Sequence, residues 1–200
     1  MYNDIMIKAI IFDCFGVLYP NASAHFFQRH SSLFNNDTTY LDKLNLQIDL
    51  GQITRAKFFS SLAENIGISA EQIQREIDQE LIVDQKLIEI IKGLRNYKIG
   101  LLSNAGKEEI DIIYRDKIDS LFTSKTISYE TGFVKPSKEI FEVCLQRLEI
   151  KPEESLFIDD SVINISAAQT FGMNTVLYND VKEFSSELEK FKLPVNGIKN

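Results

Sequence analysis

Apolar positions along this chain fall into two textures. The first is the short, β-branched run that ends in polar residues. "IKAIIFD" (7–13), "KIGLLSN" (98–104), "SLFIDD" (155–160) and "NTVLY" (174–178) have this form, and "LFTSKTIS" (121–128) has it more weakly. Runs of that length between turn residues predict buried strands. The second texture is the helical stripe. Leu41, Leu44 and Ile48 share one face over residues 38–50, and Gly51 stops the pattern. Phe58, Phe59, Leu62, Ala63 and Ile66 follow a cap at Thr54 and end at Gly67. Ser69 and Gln72 read as a capping box ahead of Ile73, Ile77 and Leu81. Further helices are predicted near 85–95, 106–116 and 135–148, the last with Pro136 in its first turn. Two more follow, one running to Gly172 and one closing the chain.

The order of these elements sets the architecture. Residues 19–84 carry helix signals and no strand signal, whereas the rest alternates strand with helix. The pattern predicts an α/β fold, a Rossmann-like doubly wound parallel sheet with helices on both faces built from residues 1–18 and 85–200, with an all-helical segment inserted at 19–84. Right-handed crossovers put every strand C-terminus on one edge of such a sheet. Ligands of open α/β sheets bind outside that edge. The last residues, "PVNGIKN", read as a loose tail.

Polar chemistry gathers at those strand ends. Asp13 ends the first strand, Ser103 and Asn104 end the second, and Asp159 with Asp160 ends "SLFIDD". Lys135 joins them if the loop "SYETGFVKP" returns to the same edge. Carboxylates with hydroxyl, amide and ammonium donors suit Mg²⁺ plus phosphate, because Mg²⁺ takes oxygen ligands and bridges carboxylate to phosphate. Ser103 and backbone N–H groups around Cys14 and Phe15 can bind the same phosphate oxygens. Each residue has a plainer use. Asp13 alone would pass for a turn residue. Asp159 or Asp160 could cap a helix, and Ser103 with Asn104 could start one. Lys135 alone reads as a solvated lysine.

Charge and composition narrow the partners. The 200 residues carry a net charge of −7 with no lysine–arginine cluster, which argues against nucleic acid or an anionic membrane. No apolar run approaches membrane-spanning length. The N-terminus runs directly into a strand and does not read as a signal peptide. Two unclustered cysteines, Cys14 and Cys144, make no zinc site and fit reduced thiols in a cytoplasm. His25, His30 and Arg29 read as helix surface, with Arg29 a lesser candidate for substrate contact. "FFQRH" and "FFSSL" read as core stripes, and "EEIDIIYRDK" as an ordinary charged helix face.

Four motifs stand in order: "FDCFGVL" (12–18), "LLSNA" (101–105), "KP" (135–136) and "FIDDSVINISAAQTFGM" (157–173). On these the chain resembles the haloacid dehalogenase (HAD) superfamily, in the branch with a helical cap after the first strand. The resemblance implies a Mg²⁺-dependent phosphatase of a small soluble phosphorylated metabolite. It implies that Asp13 is the nucleophile, forming an aspartyl-phosphate. Ser103, helped by Asn104, would bind the phosphoryl group, and Lys135 would pair with both that group and Asp13. Asp160 would hold the metal directly and Asp159 through water. The backbone carbonyl of Phe15 would supply the remaining protein ligand.

One position departs from the family pattern. Family phosphatases mostly carry a second aspartate two residues after the nucleophile, which protonates the leaving oxygen. Phe15 stands there and can transfer no proton. Three readings follow. The chain is a phosphatase whose acid comes from the cap or the substrate, or whose leaving group needs none. It is a dehalogenase-like hydrolase, since halide leaves without a proton. Or it is a phosphate-binding regulatory module with little turnover. Family dehalogenases usually replace the acids at 159–160 and keep an acid where this chain has Asn164, which favours phosphate.

Overall fold

The computed structural model describes residues 6–34 and 39–194. Within them five parallel strands form one sheet: β1 Ala9–Phe12, β2 Lys98–Ser103, β3 Ser124–Ile127, β4 Ser155–Asp159 and β5 Asn174–Leu177. Their order is β3-β2-β1-β4-β5. All five predicted strands are present, each slightly shorter than its apolar run. β1 lies at the centre, flanked by β2 and β4, so the chain order reverses beside it. That reversal opens a crevice at the strand C-termini. Of the predicted tail, residues 195–200 lie outside the described residues, as do residues 1–5 of the N-terminal stretch.

Over residues 19–84 the described residues form helices and no strand: α1 Ala22–Arg29, α2 Thr39–Asp49, α3 Arg55–Ile66 and α4 Ala70–Glu80. Their apolar stripes meet in a cluster of their own, with Phe26, Leu41, Leu62 and Ile73 among its buried members. Thr54 caps α3 through Lys57 N–H, and Gly67 ends it in the left-handed conformation. Ser69 caps α4 through Gln72 N–H, but the Gln72 side chain donates to Glu76 (3.0 Å), so only half of the capping box forms. The chain leaves at Leu18 and returns at Asp84, and the Asp84 N–H donates to the Leu18 carbonyl at 2.9 Å.

The other helices are α5 Gln85–Gly93, α6 Lys107–Ile110, α7 Ile112–Arg115, α8 Ser128–Thr131, α9 Lys138–Leu148, α10 Val162–Thr170 and α11 Val181–Lys190. Alternation along the strands sends Ile10 and Phe12 to one face, against α5, α6, α7 and α11. It sends Ala9 and Ile11 to the other, against α9 and α10. Two helix predictions need correction. The helix near 106–116 breaks at Asp111 into α6 and α7. Pro136 lies outside α9, because a turn closed by Ser137 N–H on the Val134 carbonyl (2.8 Å) precedes the helix. Among the described residues no helix is long and apolar enough to cross a membrane.

The last turn of α2 is fastened to the strand-end edge. Gly51, with φ +66°, closes it through Gln52 N–H to the Gln47 carbonyl and Gly51 N–H to the Ile48 carbonyl, both 2.8 Å. The Ser128 hydroxyl donates to the Asp49 carbonyl at 2.5 Å and accepts from Ala105 N–H at 2.9 Å. Ser128 thus links the end of α2 to residues just beyond β2. A separate apolar cluster implies separate local stability. Truncating fully buried Leu62 to Ala should cost about 2–5 kcal/mol by urea unfolding. Hydrogen exchange should quicken in α1–α4 more than in β1 and β4. Equal loosening of helices and sheet would argue against a division at 18/19 and 84/85.

Candidate active site

The site starts from the register of the central strands. Phe12 pairs with Leu101 on β2 and with Ile158 on β4, so Asp13 emerges beside Asp159, and Ser103 emerges from the neighbouring strand. The Asp13 N–H donates to the Ile158 carbonyl at 2.9 Å, extending the ladder to the acid itself. Lys135 stands between two carboxylates. Its Nζ lies 2.7 Å from Asp13 Oδ1 and 2.7 Å from Asp159 Oδ2, and all three residues are buried. Burial alone would drive the ammonium pKa down, but Asp13 and Asp159 outweigh it and hold it at about 12.

Each acid is fixed differently. Asp13 Oδ1 also accepts from Cys14 N–H at 2.7 Å. Asp159 is saturated: Oδ1 accepts from Ser161 N–H (2.8 Å), and both oxygens accept from Asn164 Nδ2 (3.1 and 3.2 Å). Asp160 rests on Gly16, where a Cβ would lie 2.2 Å from its Oδ2. Asn21, which precedes α1, reaches the same carboxyl. Burial pushes the Asp13 pKa up to about 7 against the pull of Lys135, and burial followed by Asp159 raises that of Asp160.

This donor set fits a hard divalent cation. Asp13, Asp159 and Asp160 each offer an oxygen, and these oxygens lie within 4.8 Å of one another. At that spacing and an effective dielectric of about 20, each like-charge pair costs roughly 3 kcal/mol. One ammonium cannot neutralise three carboxylates. The loop after β1 adds backbone groups. Its bridge between Phe15 and Tyr19 uses the Cys14 carbonyl and the Gly16 N–H, bonded to Tyr19 at 3.0 and 2.6 Å. The N–H and carbonyl of Phe15 itself stay outside that bridge. Among the described residues the buried hydroxyls of Ser103, Thr126 and Ser137 have no hydrogen-bond partner, and that of Ser103, at the end of the strand beside Asp13, is left free to donate to a bound group.

The other predicted residues divide. The Asn104 side chain is committed to Lys135, accepting from its backbone N–H (2.8 Å) and donating to its carbonyl (3.0 Å). Asn104, expected to help Ser103 bind phosphate, holds the lysine loop in place and also reaches the cavity wall. Arg29 pairs with Glu80 at 2.5 Å, His25 with Glu80 at 2.8 Å and His30 with Glu76 at 2.9 Å, tying α1 to α4. Phe15 lines the cavity and packs near Tyr19, with ring centroids 6.2 Å apart.

A cavity of about 620 Å³ covers the strand-end acids, a size that suits a small molecule. Its far wall comes from the helical segment and from α6–α7. Asn45, Asp49, Arg55, Glu108, Glu109 and Arg115 line it. "EEIDIIYRDK" is therefore not an ordinary solvated face, since Glu108, Glu109, Asp111 and Arg115 all reach the cavity. Spacing within one helix could not show this, because the wall is assembled from elements far apart in sequence. One signal was readable: Asp49 puts an acid in the last turn of a helix, where the macrodipole disfavours negative charge.

A family model described as haloacid dehalogenase-like hydrolase matches residues 7–172. The D-ribitol-5-phosphate phosphatase of Bacteroides thetaiotaomicron is 27% identical over 206 residues, covering 92% of this chain and 97% of that protein. A putative uncharacterized hydrolase of Schizosaccharomyces pombe is 35% identical over 98 residues, which span 46% of this chain and 42% of that protein. Among solved structures, a HAD family enzyme from Bacteroides thetaiotaomicron in complex with magnesium and inorganic phosphate superposes with a TM-score of 0.70. It is 28% identical, covering 89% of this chain and 98% of that one.

Gly16→Ala tests how closely the loop and Asp160 approach. With φ at +103° and the carboxylate in the way, the variant should lose about 1–3 kcal/mol in urea unfolding. A loss under about 0.5 kcal/mol, the range of neutral surface changes, would mean that Asp160 moves aside freely.

Proposed function

The chain belongs to the haloacid dehalogenase-like hydrolase family, and from that premise we propose that it is a magnesium-dependent phosphatase of a small phosphomonoester, working through Asp13. One observation carries the reading: three carboxylates gather within 4.8 Å of one another, two of them on a single buried ammonium, and Ser103 at the end of the neighbouring strand keeps a buried hydroxyl that has no partner among the described residues. Asp13 Oδ1 is held by Cys14 N–H and Lys135, which fixes the carboxylate and leaves Oδ2 for attack on phosphorus. The product of that attack is an aspartyl-phosphate, which water hydrolyses. Asp13, Asp160 and the Phe15 carbonyl would hold Mg²⁺, with Asp159 behind them. When bound, the ion supplies the positive charge that offsets repulsion between nucleophile and phosphate. Lys135 and Ser103 donate to phosphoryl oxygens, and the Phe15 N–H joins them. Asn104 serves by positioning Lys135.

The helical segment, residues 19–84, acts as the cap and walls the substrate from water. A phosphorylated polyol or sugar suits the cavity better than a diphosphate. Its arginines are already engaged, Arg55 with Asp78 and Arg115 with Asp116, leaving no cationic cluster among the described residues for a second phosphate. Asn45, Glu108 and Asp111 offer acceptors to hydroxyls. The D-ribitol-5-phosphate phosphatase relative agrees with that class. A dehalogenase would need no cation, which leaves the crowding of Asp13, Asp159 and Asp160 without a purpose.

Phosphate release should be measured on ribitol 5-phosphate, sugar phosphates and pyrophosphate, with Mg²⁺ or with excess EDTA. Turnover of the alcohol phosphates, lost in EDTA, is expected. Full hydrolysis in EDTA would overturn the metal role. Asp13→Asn should fold normally and lose turnover, because an amide of nearly the same shape is a poor nucleophile. Wild-type turnover by that variant would remove Asp13 from the chemistry.

A further inference from the structure

A phosphatase of this kind with phenylalanine at position 15 has to protonate its leaving alkoxide from somewhere else. Resting on the phosphatase reading above, we propose that Asp49, from the end of α2, is the general acid and base of the reaction.

Three observations meet at this residue. Asp49 lines the same cavity as Asp13, Phe15 and Lys135, on the side of the helical wall. Its backbone does not wander: the Gly51 turn closes the helix behind it, and the Ser128 hydroxyl holds its carbonyl at 2.5 Å against the edge of the sheet. Gly106 reinforces the seat, since a Cβ there would lie 3.0 Å from the Ile48 carbonyl. Finally, among the described residues no donor bonds the Asp49 carboxyl, and the C-terminal end of a helix disfavours its charge. A carboxyl without donors at such a position keeps its proton near neutrality and has it to give.

The charged groups around it act in the same sense. Burial comes first, followed by Glu109, and together with Asp13 these outweigh Lys135 and push the Asp49 pKa up to about 7. That value suits a group that gives and takes a proton at neutral pH. Glu109 is another half-buried carboxyl on this wall, but its Oε2 accepts from Gly106 N–H at 2.8 Å and caps α6.

The steps balance as follows. Asp13 forms a bond to phosphorus as the bond from phosphorus to the alcohol oxygen breaks. The electron pair goes to that oxygen, which takes the Asp49 proton and leaves as a neutral alcohol. Asp49, now a carboxylate, takes a proton from water as the water oxygen bonds to phosphorus. The bond to Asp13 breaks, its electron pair returns to the Asp13 carboxylate, and inorganic phosphate leaves with Asp49 protonated again.

The test compares alkyl and aryl phosphates, because a stable phenolate leaves without a proton and an alkoxide does not. kcat/KM reports formation of the aspartyl-phosphate, so the missing acid shows there. With Mg²⁺ present, Asp49→Asn should lower kcat/KM for ribitol 5-phosphate by about 10²–10⁴-fold while changing that for p-nitrophenyl phosphate far less. The retained aryl activity also shows that the variant is folded. Asp49→Ala should show the same split, and Glu109→Gln, which only tunes Asp49 through its charge, should change the alkyl-to-aryl ratio far less than either. An equal change on both substrates, or a collapse of the ratio in Glu109→Gln instead, would overturn the assignment and leave the phosphatase reading standing. A wild-type protein that releases phosphate from neither substrate would bring down that reading and this one together.

Discussion

Lys135 between Asp13 and Asp159 is the interaction on which the rest depends. Its two contacts of 2.7 Å place an ammonium between two carboxylates with almost no water to help. Burying charge is costly unless partners surround it, and removing one partner of such a set costs more than the set contributes to stability. The arrangement also stays unbalanced. Asp160 adds a third negative charge within the same few ångströms, held there by a glycine that offers no side chain to resist it. Stability alone gives no reason to gather these acids. Under the phosphatase reading, an incoming cation and a phosphoryl group do.

The fold supplies the donors that make the cluster tolerable. The central position of β1 brings Asp13 out between β2 and β4, so each neighbouring strand can contribute a polar end. Asn104 bonds both the N–H and the carbonyl of Lys135 through its side-chain amide, which steers the lysine back under the sheet edge. Ser161 and Asn164 saturate Asp159 from the start of α10. Two apolar faces seal the sheet, and the helical segment builds a wall over the open edge. Its attachment through Ser128 and the Leu18–Asp84 bond holds that wall to a definite place above the chemistry.

Much of this was legible in the sequence. A strand buried on both faces is a short apolar run, and its polar end marks the edge where the candidate site lies; Asp13, Ser103 and Asp159 were readable for that reason. Lys135 was readable only as part of an ordered set, because a lysine before a helix carries no signal alone. Details set by tertiary contact were not readable. Asn104 sits beside Ser103 in sequence, yet a loop thirty residues on claims its side chain. Pro136 has the chemistry of a first helical turn, but a tight turn at 134–137 delays the helix. Glu109 and Asp111 have the periodicity of a solvated face, and only the helices opposite turn that face into a cavity wall. Asp49 left one trace, an acid at a helix C-terminus, whose meaning depends on what stands across the cavity.

The most direct test of the central claim is ¹⁹F NMR of the protein with beryllium fluoride, which mimics a phosphoryl group bonded to a carboxylate. If Asp13 is the nucleophile in a cluster that requires a cation, protein-bound fluorine resonances should form with Mg²⁺, vanish in EDTA and be absent in Asp13→Asn. Bound resonances of equal intensity in Asp13→Asn, or in wild type without any divalent cation, would contradict it.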